Sequence, residues 1–390
     1  MRYSFLIFSL LVLFGCSPSA PLQTSVVHCD SLVAVTFNDT TTLYFNIVSD
    51  SEACLTWDAT EGKKYNTSGR YQHKGRLVVP SQITIDNKVY KVTSIADNAL
   101  FQQRSLTELY ISNGIRYIGN RALSGCDKLT MLRLPETLET IGDEAIARCK
   151  QLVKVALPDG IKQMGKYAMY DCKRLREVEI PASMTVVPEG LFRGCFSLMD
   201  VRLHNKITTI EERAFSNCEN LTKIRIPNSV TEIKPEIFDG CHSLTDVRLP
   251  KGLNYIPEAC FHDCHSLKNI DLSNIETIEP EAFAHCNTIK ELALPEGLKR
   301  IGHSAFTACA GIEEVRIPLS VEYVGENAFG NCKNLKNVYL LRTKPIEIGD
   351  ETAFPGEPCN INIPKGSVDS YQFTAKWKKF NYREILVGKK

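Results

Sequence analysis

A chain of 390 residues with 43% hydrophobic and 23% charged side chains has the make-up of a globular protein with a sizeable core. Its 46 Lys and Arg stand against 45 Asp and Glu, a formal net charge of +1. That balance gives no general attraction to nucleic acid or to an anionic membrane surface, and no nucleic-acid partner is expected.

The chain opens MRYSFLIFSLLVLFGC, with Arg2 ahead of an almost wholly apolar run from Phe5 to Phe14. This is shorter than the roughly 20 apolar residues a spanning helix needs. It fits the hydrophobic part of a secretory signal over residues 1–15. Leu13-Phe14-Gly15-Cys16 then resembles the lipobox of bacterial lipoproteins, in which the Cys is lipidated and becomes the new N-terminus. The bland alternative is an ordinary cleaved signal followed by a chance Cys. On the lipobox reading Cys16 carries the lipid and residues 16–29 form a short tether. The chain is then anchored to a bacterial envelope membrane, the outer one, without spanning it. Many surface-exported lipoproteins of Bacteroidetes-like bacteria carry acids just after that Cys. The SPSAP found here has none, so surface-exposed and periplasm-facing placements both stay open.

Residues 30–92 alternate apolar and polar side chains over Leu43–Val48, Arg76–Pro80 and Ile83–Val92. Period two predicts strands, and Asp86-Asn87 between two such runs predicts a hairpin turn. The region reads as a β-rich N-terminal cap.

From residue 93 to 341 the chain repeats. Cys126, Cys149, Cys172, Cys195, Cys218, Cys241 and Cys264 are spaced by 23 residues; Cys286 follows after 22, then Cys309 and Cys332 after 23 each. Each Cys is followed three residues on by an apolar residue that starts an alternating run, as in Leu244-Thr-Asp-Val-Arg-Leu-Pro250. The run is a half-buried strand, and Pro ends it because it cannot continue a ladder. A second apolar pair follows, such as Leu298 and Ile301, then an Ala-Phe pair such as Ala214-Phe215 or Ala305-Phe306. One large side chain per turn predicts an aromatic spine from Phe192 to Phe329. Leu100, Leu123, Ile146 and Met169 hold that slot in earlier turns. A unit this short cannot bury its own apolar face, so stacking must do it, which is the logic of a solenoid. Eleven turns at a strand spacing of about 4.8 Å would run roughly 50 Å.

The filled Cys, Phe, Leu and Pro slots resemble the BspA-like (Treponema-type) leucine-rich repeat. The resemblance implies an α/β-type solenoid with 23-residue turns, a parallel sheet on one face and a cap at each end. It also implies a bacterial cell-envelope or secreted protein, with adhesion proposed for several members and no catalytic residues. Residues 342–390, with IPKGS, Tyr371, Trp377 and Phe380, are similar to that family's C-terminal cap. Trp377 is expected to plug the last turn rather than to serve as a ligand platform.

Equivalent cysteines on stacked turns would lie close enough for disulfides, but their Cβ vectors run parallel, whereas a disulfide needs a dihedral near 90°. A ladder of reduced, buried thiols is expected. Cys29 and Cys54 lie outside the ladder and are candidates for one cap disulfide. The stretch EACFHDCHSL from Glu258 to Leu267 looks like zinc chemistry, yet the register turns Cys260 and Cys264 inward. His262, Asp263 and His265 remain, with His242 one turn away. Two imidazoles fall short of the usual four ligands of a structural zinc, so no metal and no cofactor is assigned. No Gly-x-Ser-x-Gly and no phosphate loop occurs, and no enzymatic activity is expected.

The outward strand positions form two columns along the sheet face. Most read as a solvated surface with charges paired across strands. Arg202, Arg225 and Arg248 are the exception: three Arg on consecutive turns repel unless anions lie among them. Asp200 and Asp246 would supply these internally; a carboxylated or sulfated glycan or an acidic protein loop would supply them externally. Tyr110 and Tyr339 stand near the two ends of the same column. The expected function is non-enzymatic binding of a protein or glycan by this rigid surface, in adhesion, by a lipid-anchored monomer. The alternative is a periplasm-facing scaffold or envelope-assembly protein, and behind it a metal-binding protein or enzyme. The short turn at Ser273-Asn274 has no assigned role.

Overall fold

The computed structural model describes residues 23–29, 32–38, 41–57 and 72–386; the signal segment 1–15 and Cys16 lie outside the described residues. The cap begins with four strands, β1 (Gln23–Cys29), β2 (Leu32–Phe37), β3 (Thr41–Ile47) and β4 (Glu52–Thr56), paired antiparallel in chain order. Because β1 covers residues 23–29, the latter part of the expected tether is a strand of the cap. Its register also settles the cap thiols. Cys29 and Cys54 sit on β1 and β4, three strand spacings apart, and at about 4.8 Å each that is too far for a disulfide. Cys54 is a free thiol.

β5 (Gly75–Val79) is followed by the hairpin β6 (Gln82–Ile85) and β7 (Lys88–Ile95). Asp86 and Asn87 both have positive φ, 49° and 61°, as a two-residue turn with right-handed strand twist requires. The cap then feeds the solenoid along two tracks. β5 pairs parallel with the first repeat strand, Leu106–Ile111, and β7 pairs parallel with Tyr117–Ile118.

Two parallel ladders run along the repeats. The first contains the expected strands, including Met131–Arg133, Asp200–Arg202, Lys223–Arg225 and Asp246–Arg248, whose central residue is buried and whose flanking residues face outward. The second is made of dipeptides such as Thr140–Ile141, Thr209–Ile210 and Thr277–Ile278. Sequence reading recognised their apolar member without seeing a strand, since two residues are too few to show a period. Gly142 shows how tightly this ladder stacks: a Cβ there would sit 2.7 Å from the Asn120 nitrogen and 2.8 Å from the Gly119 carbonyl carbon.

The third side has no helix in the repeats; among the described residues α-helix occurs only at Val368–Gln372 in the C-terminal cap. Instead, alternate backbone N–H groups of one turn donate to carbonyls of the next. Asn98, Leu100 and Gln102 donate to Asn120, Ala122 and Ser124 at 2.8–2.9 Å. Reaching them puts two residues per turn at positive φ. The slot just before the ladder Cys holds Gly125, Asp171, Gly194, Asn217, Gly240, Asp263 and Asn331, the residue types that tolerate that region best. Ala308 occupies it at φ 55°. Ala308→Gly is therefore expected to raise stability by about 0.5–1 kcal/mol, read as a higher urea midpoint at unchanged slope.

Inside, eight rings stack from Phe192 to Phe354 with centroids 5.2–5.9 Å apart and planes within 19° of parallel. The spine extends one ring past the expected Phe329, because Phe354 returns after a longer turn. Every ladder Cys is a free buried thiol that donates to the spine-slot carbonyl one turn back, at 3.0–3.5 Å. The slot wants a small apolar body with one weak donor, which describes Cys. Trp377 closes the end, 6.0 Å from Phe354, with its indole N–H donating to the Ile346 carbonyl at 3.0 Å.

Candidate functional site

The sheet-face ladder carries a groove of about 890 Å³ over its N-terminal half. Alternation along each short strand sends every second side chain into it, and parallel register lines those side chains up turn by turn. At its end nearest the cap, Arg76 donates to Glu108 at 2.8 Å and lies 5.2 Å over the Tyr110 ring. The Tyr110 hydroxyl lies 3.3 Å from Glu108 and 3.0 Å from the Met131 sulfur. Ala156, a short side chain between Arg133 and Glu179 on the neighbouring turns, also lines the groove. Lys154 and Glu177, bridged in register, form an ion pair at 2.6 Å, and that contact holds the Glu177 carboxyl below its ordinary pKa. Arg202 closes the groove at the other end, 3.6 Å from both Glu179 and Asp200.

Of the residues singled out in the sequence, Tyr110, Asp200 and Arg202 line this groove. Arg225 and Arg248 lie beyond it as directly paired neighbours on one ladder. Among the described residues neither has a carboxylate within 4.0 Å, so only Arg202 of the three is answered internally. Asp246 pairs in register with Lys223 and contacts no cation within that distance among the described residues. Tyr339 is far from the groove, under the Arg316 guanidinium at 4.6 Å. Arg76 was missed. Its signal was the run Arg76-Leu-Val-Val-Pro80, a strand then a Pro, which is the repeat's own pattern ahead of the first Cys slot.

The groove offers charge and hydrogen bonds but no activated nucleophile. The ladder thiols are buried away from it; burial pushes Cys172 up to about 12 and raises those from Cys195 to Cys332 as well, so these stay protonated and unreactive.

At EACFHDCHSL both cysteines are buried in the core, as the register requires. The outward residues form a grid with the neighbouring turns. His262 Nδ1 lies 2.9 Å from Asp239 Oδ1 and 3.5 Å from Asp263 Oδ2; the Asp239 contact raises the His262 pKa. His265 Nε2 lies 3.2 Å from Asp263, and the His265 ring stacks on His242 with centroids 4.9 Å apart. The potential ligand atoms of His262, Asp263 and His285 all fall within 4.8 Å of one another. Sequence reading did not name His285; its signal was its place just before Cys286, the slot Asp263 holds before Cys264.

Around the short turn the sheet-face ladder lapses: no strand follows Asp246–Arg248 until the Leu292–Val315 bridge. The dipeptide ladder continues unbroken there, from Tyr255–Ile256 through Thr277–Ile278 to Arg300–Ile301.

Comparisons with known proteins agree with this architecture. Among solved structures, a leucine-rich repeat protein from Bacteroides ovatus matches with TM-score 0.61 at 22% identity, over 88% of this chain and 98% of its own. A leucine-rich cell surface protein from Faecalibacterium prausnitzii matches with TM-score 0.59 at 22% identity, over 92% of this chain and 98% of its own. The pneumococcal vaccine antigen PcpA matches with TM-score 0.54 at 16% identity, over 94% of this chain and 100% of its own. At these identities the likeness shows the fold. No curated protein matches in sequence. The family model described as the BspA type leucine rich repeat region matches in six copies, over residues 93–222, 208–336 and 259–374. Since that match spans well over half of the sequence, the chain belongs to the BspA-type leucine-rich-repeat family.

Proposed function

We propose that this chain is a lipid-anchored protein of the bacterial outer membrane whose sheet face binds a protein or glycan in adhesion. The observation that carries the binding role is the groove of about 890 Å³, continued past Arg202 by the unanswered Arg225 and Arg248. Guanidinium forks on a fixed ladder suit carboxylate or sulfate groups spaced along a polymer. Rigid repeats hold them at constant spacing, so little ordering entropy opposes binding. The anchor rests on Leu13–Cys16 alone. No helix among the described residues is long and apolar enough to cross a membrane.

The test is a glycan array and a protein pull-down with the chain and with Arg202, Arg225 and Arg248 changed to Ser. The triple variant is expected to lose at least about tenfold in affinity, about 1.4 kcal/mol. Unchanged binding removes the Arg stripe from the model. A second reading, a periplasm-facing scaffold, is favoured by the acid-free SPSAP after Cys16. Protease treatment of intact cells separates the two, since a protein left uncut there is no external adhesin.

A further inference from the structure

We infer that the edge formed by residues 239–285 binds a borderline divalent transition-metal ion, Zn²⁺ being the type case, through His262, Asp263 and His285. The three side chains come from two successive turns. Asp263 and His285 hold the same slot, one residue before the ladder Cys, at φ 57° and 63°, so the stacking brings them together. His262 stands beside Asp263 in the same turn. Their ligand atoms already lie within 4.8 Å of one another. Zn–N and Zn–O bonds of about 2.0–2.2 Å ask for closer approach, which rotations of these partly exposed side chains supply. Two imidazoles and a carboxylate suit zinc and its neighbours and do not suit Ca²⁺ or Mg²⁺, which take oxygen ligands.

The surrounding residues support this beyond simple proximity. Asp239 lies 2.9 Å from His262 Nδ1; in the neutral tautomer that donates this bond, Nε2 is the nitrogen that binds a cation. Asp239 is itself held by the Ser216 hydroxyl at 3.2 Å. A carboxylate behind a histidine is the usual outer support of a metal-ligating imidazole. On the other side, His265 holds the Asp263 carboxylate at 3.2 Å. Three protein ligands leave a position for water or for a donor on a bound partner.

The experiment is a titration of the untagged full chain, in detergent and stripped with chelator, by Co²⁺ and by Zn²⁺. One equivalent is expected to bind, with visible d–d absorption for Co²⁺ and no thiolate charge-transfer band. His285→Gln and Asp263→Asn are expected to abolish binding, while Cys260→Ala leaves it unchanged. Asp239→Ala, which removes no ligand, is expected to weaken it about 10–100-fold. Melting in chelator checks that each variant is folded. Absence of saturable one-to-one binding overturns the inference. So does a thiolate band, or binding indifferent to both His285→Gln and Asp239→Ala in folded protein.

Discussion

Phe261→Ala is expected to destabilise the chain by about 3–5 kcal/mol, among the largest effects of any single change in the repeats. The Phe261 ring is fully buried between Phe238 at 5.6 Å and Phe283 at 5.3 Å, so its loss strips one face from each neighbour. Alternate backbone hydrogen bonds tie this turn to the next on the same side: Phe261 donates to Ala282 and Asp263 to Ala284. They limit collapse into the hole, which puts the cost toward the cavity-dominated end of the range. Phe261→Leu should cost far less, roughly 1–1.5 kcal/mol, since Leu123, Ile146 and Met169 fill the same slot elsewhere. Urea unfolding of both variants measures this. An Ala variant within about 1 kcal/mol of the parent would mean the spine is not where the stability lies.

Trp377→Ala is expected to cost a similar amount, but at one end. Trp377 is buried against Phe354, Tyr371 and Phe380, with centroids 5.2–6.0 Å away. Truncation opens the last turn to water and leaves the Ile346 carbonyl without its indole partner. In a stacked array each turn contacts its neighbours only, so the damage should fray inward from the C-terminal end. Hydrogen exchange is expected to show lost protection over residues 342–386 with little change between 93 and 300. Uniform loss of protection along the chain would rule out the capping role.

How much of this was legible beforehand depended on spacing. The Cys period, the strand-then-Pro pattern and the Ala-Phe pair placed the sheet face, the thiol ladder and most of the spine, because a repeat states each contact many times over. The dipeptide ladder was hidden, as two residues carry no periodicity. The third side held no helix because its turns close by residues at positive φ, a property that Arg148, His285 or Ala308 do not announce. Cap topology was also hidden: β1 lies within residues assigned to a tether, and the distance from Cys29 to Cys54 follows from strand order, which no local pattern encodes.

The candidate sites divide in the same way. Period two already says, strand by strand, which side chains face outward. It therefore names both columns and the Arg202, Arg225, Arg248 stripe. Which of these share a groove follows from how the turns stack. The groove takes in Ala156, between Arg133 and Glu179 on adjacent turns, and the cap strand β5 brings Arg76 into the same sheet. Stacking alone decides that Arg202 is neutralised while Arg225 and Arg248 are not, because ion pairing turns on distances of a few ångströms between turns. The stacking of successive turns likewise brings His285 to His262 and Asp263, residues more than twenty positions apart in the chain, while Cys260 and Cys264 of the same stretch face the core.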